Sequence, residues 1–193
     1  MTKKYCRILG FLILAITICM TIITCGVTNL LDPSTDDNLD NNTPKLAEDF
    51  HISFYNINNL SVDNETSFFT LFQNEKPIVL NLWAGLCPPC RAEMPEMEEV
   101  YKEYSDRIIL IGLDLGPFMG LGSENDGQTL VKDLGITYPT GTTDNADVIQ
   151  TYKVLGLPTT FFINNKREIT RSWTGMIHKD MLVELIEDLI ESN

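Results

Sequence analysis

The stretch Ile78-Val79-Leu80-Asn81-Leu82-Trp83 runs directly into Ala84-Gly85-Leu86-Cys87-Pro88-Pro89-Cys90. This junction limits the possible folds more than any other part of the chain. A short, almost wholly apolar run reads as a strand covered on both faces, so the sheet containing it needs a layer above and a layer below. Pro88 and Pro89 lack N–H groups where the first turn of a helix needs none, and their fixed φ suits that turn. The junction therefore predicts strand, tight turn and helix. A cysteine at a helix start faces unpaired N–H groups and the positive end of the dipole, and both favour thiolate over thiol. Cys90, three residues on, falls on the same helix face as Cys87. Cys87 is thus expected to be the exposed nucleophile and Cys90 the buried partner that resolves a mixed disulfide. Arg91 either adds a cation to this environment or points to water.

The rest of the chain fits an α/β domain. Phe50 to Phe54 alternates as a short strand, with Ser61-Val62 as a candidate returning partner, and Thr66 to Phe72 reads as a short helix. The helix opened by Pro88 should reach Tyr104, with Met94, Met97, Tyr101 and Tyr104 along one core-facing stripe and a kink at Pro95. Ile108 to Leu115 is a second buried-type strand, followed by a Gly-rich loop from Gly116 to Gly127. Helices are expected around Gln128–Leu134 and Ala146–Tyr152. Thr159–Ile163 and Glu168–Trp173 read as a hairpin, and the last helix spans Lys179 to Ile190 with Leu182, Leu185, Ile186 and Leu189 on one face. Strands alternating with helices and ending in a hairpin and a helix indicate a central mixed β-sheet flanked by helices.

Charge and cysteine count remove several classes of function. There are 14 Lys and Arg against 27 Asp and Glu, a net charge of -13, which argues against nucleic acid as a partner. Zinc wants four ligands, and Cys87 and Cys90 have no second Cys or His pair to join them, so no metal site is expected. Haem attachment needs His after the second Cys, and Arg91 stands there. A purely structural disulfide closing so short a loop would constrain the unfolded chain little.

Residues 1–27 read as an address. Lys3, Lys4 and Arg7 precede an uncharged run from Ile8 to Val27, about 30 Å long as a helix and enough to cross a bilayer core. Three readings stay open: a retained membrane anchor, a lipoprotein signal with Cys25 as the lipidated residue, and a cleaved secretory signal. The flanking cations would hold the amino end inside, leaving the remainder on the extracytoplasmic face of the cell membrane. Residues 28–45 are polar and acidic and read as a flexible linker. The folded domain is expected at 46–193.

Trp83-Ala84-Gly85-Leu86-Cys87-Pro88-Pro89-Cys90-Arg91-Ala92-Glu93-Met94-Pro95, together with Leu155-Gly156-Leu157-Pro158-Thr159-Thr160-Phe161-Phe162-Ile163, resembles the membrane-anchored TlpA/ResA-like thiol–disulfide oxidoreductases. The likeness covers roughly Asp49 to Ile190. It implies a thioredoxin fold, here with an N-terminal β-hairpin extension. It implies catalytic roles for Cys87, Cys90 and Glu93, with Glu93 a buried acid of raised pKa that exchanges a proton with Cys90. It also implies that Pro158 is a cis-proline facing the dithiol, and that Trp83, Leu86, Pro88, Leu157, Pro158 and Thr159 contact an extended substrate. Asn81 stands where thioredoxin has a buried Asp, which leaves proton handling to Glu93. By the same resemblance no cofactor is needed beyond the Cys87–Cys90 disulfide. The expected partners are a protein disulfide, with apocytochrome c as the family's usual substrate class, and a membrane dithiol electron carrier. Two other readings of the same fold remain: an oxidase for exported proteins, and an anchored binding module with a dispensable disulfide.

Overall fold

The computed structural model describes residues 45–57 and 60–193, so the expected anchor and nearly all of the linker lie outside the described residues. Among the described residues no helix is long and apolar enough to cross a membrane.

Seven strands form one mixed sheet in the order β2-β1-β5-β4-β3-β6-β7. They are β1 His51–Asn56, β2 Glu65–Ser67, β3 Ile78–Trp83, β4 Ile109–Asp114, β5 Thr140–Thr142, β6 Thr159–Ile163 and β7 Ile169–Thr174. Strands β3, β4 and β5 run parallel, while β1 pairs antiparallel with β5 and β2, and β6 with β3 and β7. Every residue of β3 and β4 is buried, as their near-continuous apolar character requires of strands covered on both faces.

Alternation along β3 divides the core. Val79 and Trp83 face one layer with Met94, Met97, Val100 and Tyr101 of α1 (Pro88–Tyr104), Leu130 and Val131 of α3 (Glu124–Leu134), and Leu182, Leu185, Ile186 and Leu189 of α5 (Lys179–Glu191). Ile78, Leu80 and Leu82 face the opposite layer, which contains Phe50, Phe68 and Leu71 of the 3-10 helix Phe68–Asn74, and Val148 of the one-turn α4 (Val148–Thr151). Fully burying each such side chain contributes about 1.5–3 kcal/mol. The stripe on α1 therefore fixes the position of the helix that carries both cysteines. That helix continues through Pro95, which deprives one carbonyl of its backbone partner without ending the element.

Several boundaries differ from expectation. The partner of β1 is Glu65–Ser67, not Ser61-Val62, so the N-terminal hairpin has a longer loop. The short helix begins two residues later than predicted, after Ser67 caps it by accepting the Phe69 N–H. The stretch from Gly116 to Gly127 is not all loop. It holds the one-turn α2 (Gly116–Met119) and the start of α3, where Ser123 and Asp126 form a reciprocal capping box. Strand β5 was missed because Thr-Gly-Thr has almost no apolar content; it is held by pairing on both sides. Gly141 is required there, since a Cβ would lie 2.4 Å from the Ser53 carbonyl oxygen of β1.

Candidate active site

The site stands where β3 ends and α1 begins. Cys87 is the N-cap of α1, with Pro88 and Pro89 in its first turn, and its sulfur accepts the Cys90 N–H at 3.4 Å. Cys87 and Cys90 are joined in a disulfide, with their Cα atoms 5.3 Å apart. The expected asymmetry between the sulfurs is present but small: Cys87 is 3% exposed and Cys90 0%. The picture of an open Cys87 is therefore corrected for the oxidised state. Its sulfur is buried, bonded to the Cys90 sulfur and engaged by the Cys90 N–H. The neighbouring residues supply the surface: Leu86 is 60% exposed, and Pro88, Pro89 and Arg91 are exposed.

Glu93 lies one turn beyond Cys90 on the same face of α1, entirely buried against the sheet. Its Oε1 accepts from Asn81 Nδ2 at 2.8 Å, and its Oε2 from the Ile177 N–H at 3.0 Å. Burial pushes its pKa up to about 7 against the pull of those two donors, and the nearby Glu96 charge adds to the rise. Asn81 Nδ2 is also within 3.1 Å of Thr160 Oγ1. Asn81 pairs with Thr160 across β3 and β6 and with Gly112 across β3 and β4. A polar rung thus crosses the sheet beneath the dithiol helix. Its amide can hold the carboxyl but cannot take its proton, so Glu93 is the titratable group on this rung.

The peptide bond between Leu157 and Pro158 is cis. Leu82 pairs with Thr159, so the antiparallel register sets the buried Pro158 beside Trp83, at the end of the sheet from which the Cys87 turn departs. The Pro158 carbonyl accepts the Gly175 N–H, and Thr159 Oγ1 donates to the Gly156 carbonyl. Leu157 is half-buried and packs against the core. The six residues expected to contact substrate therefore separate. Leu86, Pro88 and Leu157 reach the surface, while Trp83, Pro158 and Thr159 are buried. Trp83 corrects the expectation of a surface contact: it is wholly inside the core. Its indole nitrogen lies where a Cβ on Gly112 would come within 2.8 Å, so glycine is needed there.

Sequence reasoning passed over a second buried acid at this end of the sheet. Asp114, the last residue of β4, is entirely buried. It pairs in register with Trp83, the last residue of β3. Its Oδ1 accepts the Gly116 N–H at 2.8 Å and its Oδ2 the Tyr55 hydroxyl at 3.1 Å. Burial raises its pKa to about 6, helped by the charges of Glu124 and Asp126. The available signal was a lone acid closing an apolar strand, Ile109-Leu110-Ile111-Gly112-Leu113-Asp114. The Ile177 amide that binds Glu93 had no sequence signal, because backbone groups are anonymous in a sequence.

Residues 45–172 match the AhpC/TSA family. The thiol-disulfide oxidoreductase ResA of Oceanobacillus iheyensis is 28% identical over 177 residues, covering 90% of this chain and 86% of that protein. The protein of the same name from Halalkalibacterium halodurans is 34% identical over 112 residues, 58% of this chain and 61% of its own length. Among solved structures, StoA of Bacillus subtilis superposes with a TM-score of 0.59 at 21% identity, over 74% of this chain and 99% of that one. That likeness shows the fold.

Proposed function

Because the chain belongs to the AhpC/TSA family of thioredoxin-like proteins and is a thiol–disulfide oxidoreductase of the ResA/StoA type, we propose that it acts as a protein-disulfide reductase. It would work on the extracytoplasmic face of the cell membrane, held there by the segment Ile8–Val27 or by lipid on Cys25. The observation that carries the reading is Glu93, a buried acid with a pKa of about 7 set one turn beyond Cys90. A resolving thiol needs an acceptor for its proton at working pH, and a carboxyl poised near neutrality supplies one.

The reaction proceeds from the reduced dithiol. The Cys87 thiolate attacks one sulfur of the substrate disulfide. A bond forms between Cys87 and that sulfur, and the second substrate sulfur leaves as a thiolate and takes a proton. Glu93 then accepts the proton of Cys90, whose thiolate attacks the Cys87 sulfur. The Cys87–Cys90 bond forms, the remaining substrate sulfur departs and is protonated, and two electrons have passed from this protein to its substrate. Apocytochrome c, whose two cysteines must be reduced before haem attachment, is the proposed substrate class, and a membrane dithiol carrier the proposed source of electrons.

The reduction potential of the full chain tests the direction. A reductase is expected to lie nearer the about −270 mV of thioredoxin than the about −120 mV of a strong oxidant such as DsbA, and each 30 mV corresponds to about 1.4 kcal/mol. A value near the latter would make the protein an oxidase of exported proteins. Retention of biological function by Cys87→Ser would make it a binding module.

A further inference from the structure

Asp114 is tied to the dithiol turn by two short routes. The first runs through packing. A Cβ on Gly127 would stand 2.0 Å from Asp114 Oδ2, so the carboxylate lies directly against the backbone of α3 at Gly127. On its other side that backbone meets the dithiol turn, where a Cβ on Gly85 would come within 2.6 Å of the Gly127 nitrogen. Carboxylate, α3 backbone and dithiol turn are thus in successive close contact, with the Asp126 Cβ also bordering Gly85.

The second route runs through hydrogen bonds. Asp114 Oδ1 holds the Gly116 amide. The Gly116 carbonyl accepts the Leu121 N–H, and the Leu121 carbonyl accepts the Leu86 N–H at 2.8 Å. Leu86 immediately precedes Cys87. A Cβ on Gly122 would be 3.2 Å from Leu86 Cγ, so the same loop also bears on the Leu86 side chain. The charged and titratable groups that bear on Asp114 are Tyr55 from β1 and Glu124 and Asp126 from the first turn of α3.

We propose that Asp114 is a positioning residue for the dithiol turn: through Gly116 and Gly127 its carboxyl group fixes the loop that holds the Leu86 amide, so its protonation state alters the reactivity of Cys87. The ionised form accepts stronger hydrogen bonds from Gly116 and Tyr55 and holds the loop tightly. It also places a negative charge at the same end of the sheet as the Cys87 thiolate, which disfavours that second anion. Protonation relaxes both effects, at a pH where Asp114, with a pKa of about 6, changes charge. Glu93 acts on Cys90 from α1, and Asp114 acts on Cys87 from β4. The inference rests on the oxidoreductase reading above.

The test follows the Leu86 amide resonance and the iodoacetamide alkylation rate of Cys87 against pH, in the reduced full chain in detergent micelles. In the wild type and in Glu93→Gln the Leu86 amide is expected to titrate below neutral pH; in Asp114→Asn it is expected to stay flat. Asp114→Asn is also expected to speed Cys87 alkylation near neutral pH by about threefold to tenfold, the size of a shift of up to one pKa unit. Tyr55→Phe removes a donor to the anion and is expected to move the Leu86 midpoint to higher pH, and it carries the test where Asp114→Asn does not fold. A Leu86 amide that does not titrate below neutral pH, or whose titration is unchanged in Asp114→Asn and Tyr55→Phe, overturns the proposal. Wild-type protein that titrates at Leu86 but does not exchange with protein disulfides would remove the oxidoreductase reading and leave the positioning role standing.

Discussion

Glu93 and Asp114 are built alike and are proposed to do different work. Each is a fully buried carboxyl on the α1 side of the sheet, each accepts one backbone N–H and one side-chain donor, and each has a pKa raised chiefly by burial. The difference lies in what stands next to them. Glu93 hangs from α1 one turn from a cysteine, over a neutral amide that cannot compete for its proton. Asp114 is pressed against the glycine backbone of α3, under the turn that delivers the other cysteine. In the proposed scheme the same local chemistry serves proton transfer in one place and loop placement in the other. Location relative to the sulfurs decides which.

The comparison can be broken in order of expected effect. Cys87→Ser should abolish disulfide exchange with protein substrates altogether, while Cys90→Ser should accumulate a mixed disulfide on Cys87, visible as a covalent adduct on non-reducing gels. Exchange surviving in Cys87→Ser would remove the nucleophile on which both acids depend. Gly127→Ala forces a methyl group into the Asp114 carboxylate and should cost about 1–3 kcal/mol in denaturant unfolding. An unfolding midpoint equal to that of the wild type would show that the contact is loose.

Stability against pH separates the two acids next. A carboxyl whose folded pKa is raised holds a proton that the unfolded chain has already released, so the folded state loses stability as pH rises toward that raised value. For Glu93 the loss runs from the ordinary Glu range up to about 7 and then levels off. Glu93→Gln should remove that loss, on the order of 3 kcal/mol across the whole interval, measured as the pH dependence of unfolding free energy. An unchanged slope would mean that Glu93 is ionised throughout. The smallest effect is expected for Asn81→Ala. It removes a donor to the Glu93 carboxylate and should raise its midpoint by about half a unit to one unit, seen in a carboxyl-carbon titration; a fall would contradict the assigned donor.

What the sequence disclosed and what it withheld divide along the same line. The strand, the CPPC turn, the α1 stripe and the closing helix were legible, because periodicity, proline position and buried apolar runs are local signals. Glu93 was legible as a candidate only through the family resemblance. The Ile177 amide that binds it comes from 84 residues away, and no spacing announces such a pairing. Asp114 was passed over because one acid at a strand end is ordinarily a solvated residue, and only tertiary packing of Gly85, Gly116 and Gly127 shows that it is sealed. The start of α3 was placed too late for a different reason. Gly120, Gly122 and Gly127 suggested a loop, while the Ser123–Asp126 capping box, a legible S-x-x-D signal, outweighed them.

The most direct test of the central claim follows the second step alone. A mixed disulfide is formed on Cys87 with a thiol-bearing peptide, and its release by Cys90 is timed across pH in the wild type and in Glu93→Gln. A wild-type release rate with an inflection near 7, slowed at least about tenfold and stripped of that inflection in Glu93→Gln, is the predicted result. Identical profiles in the two proteins would contradict it.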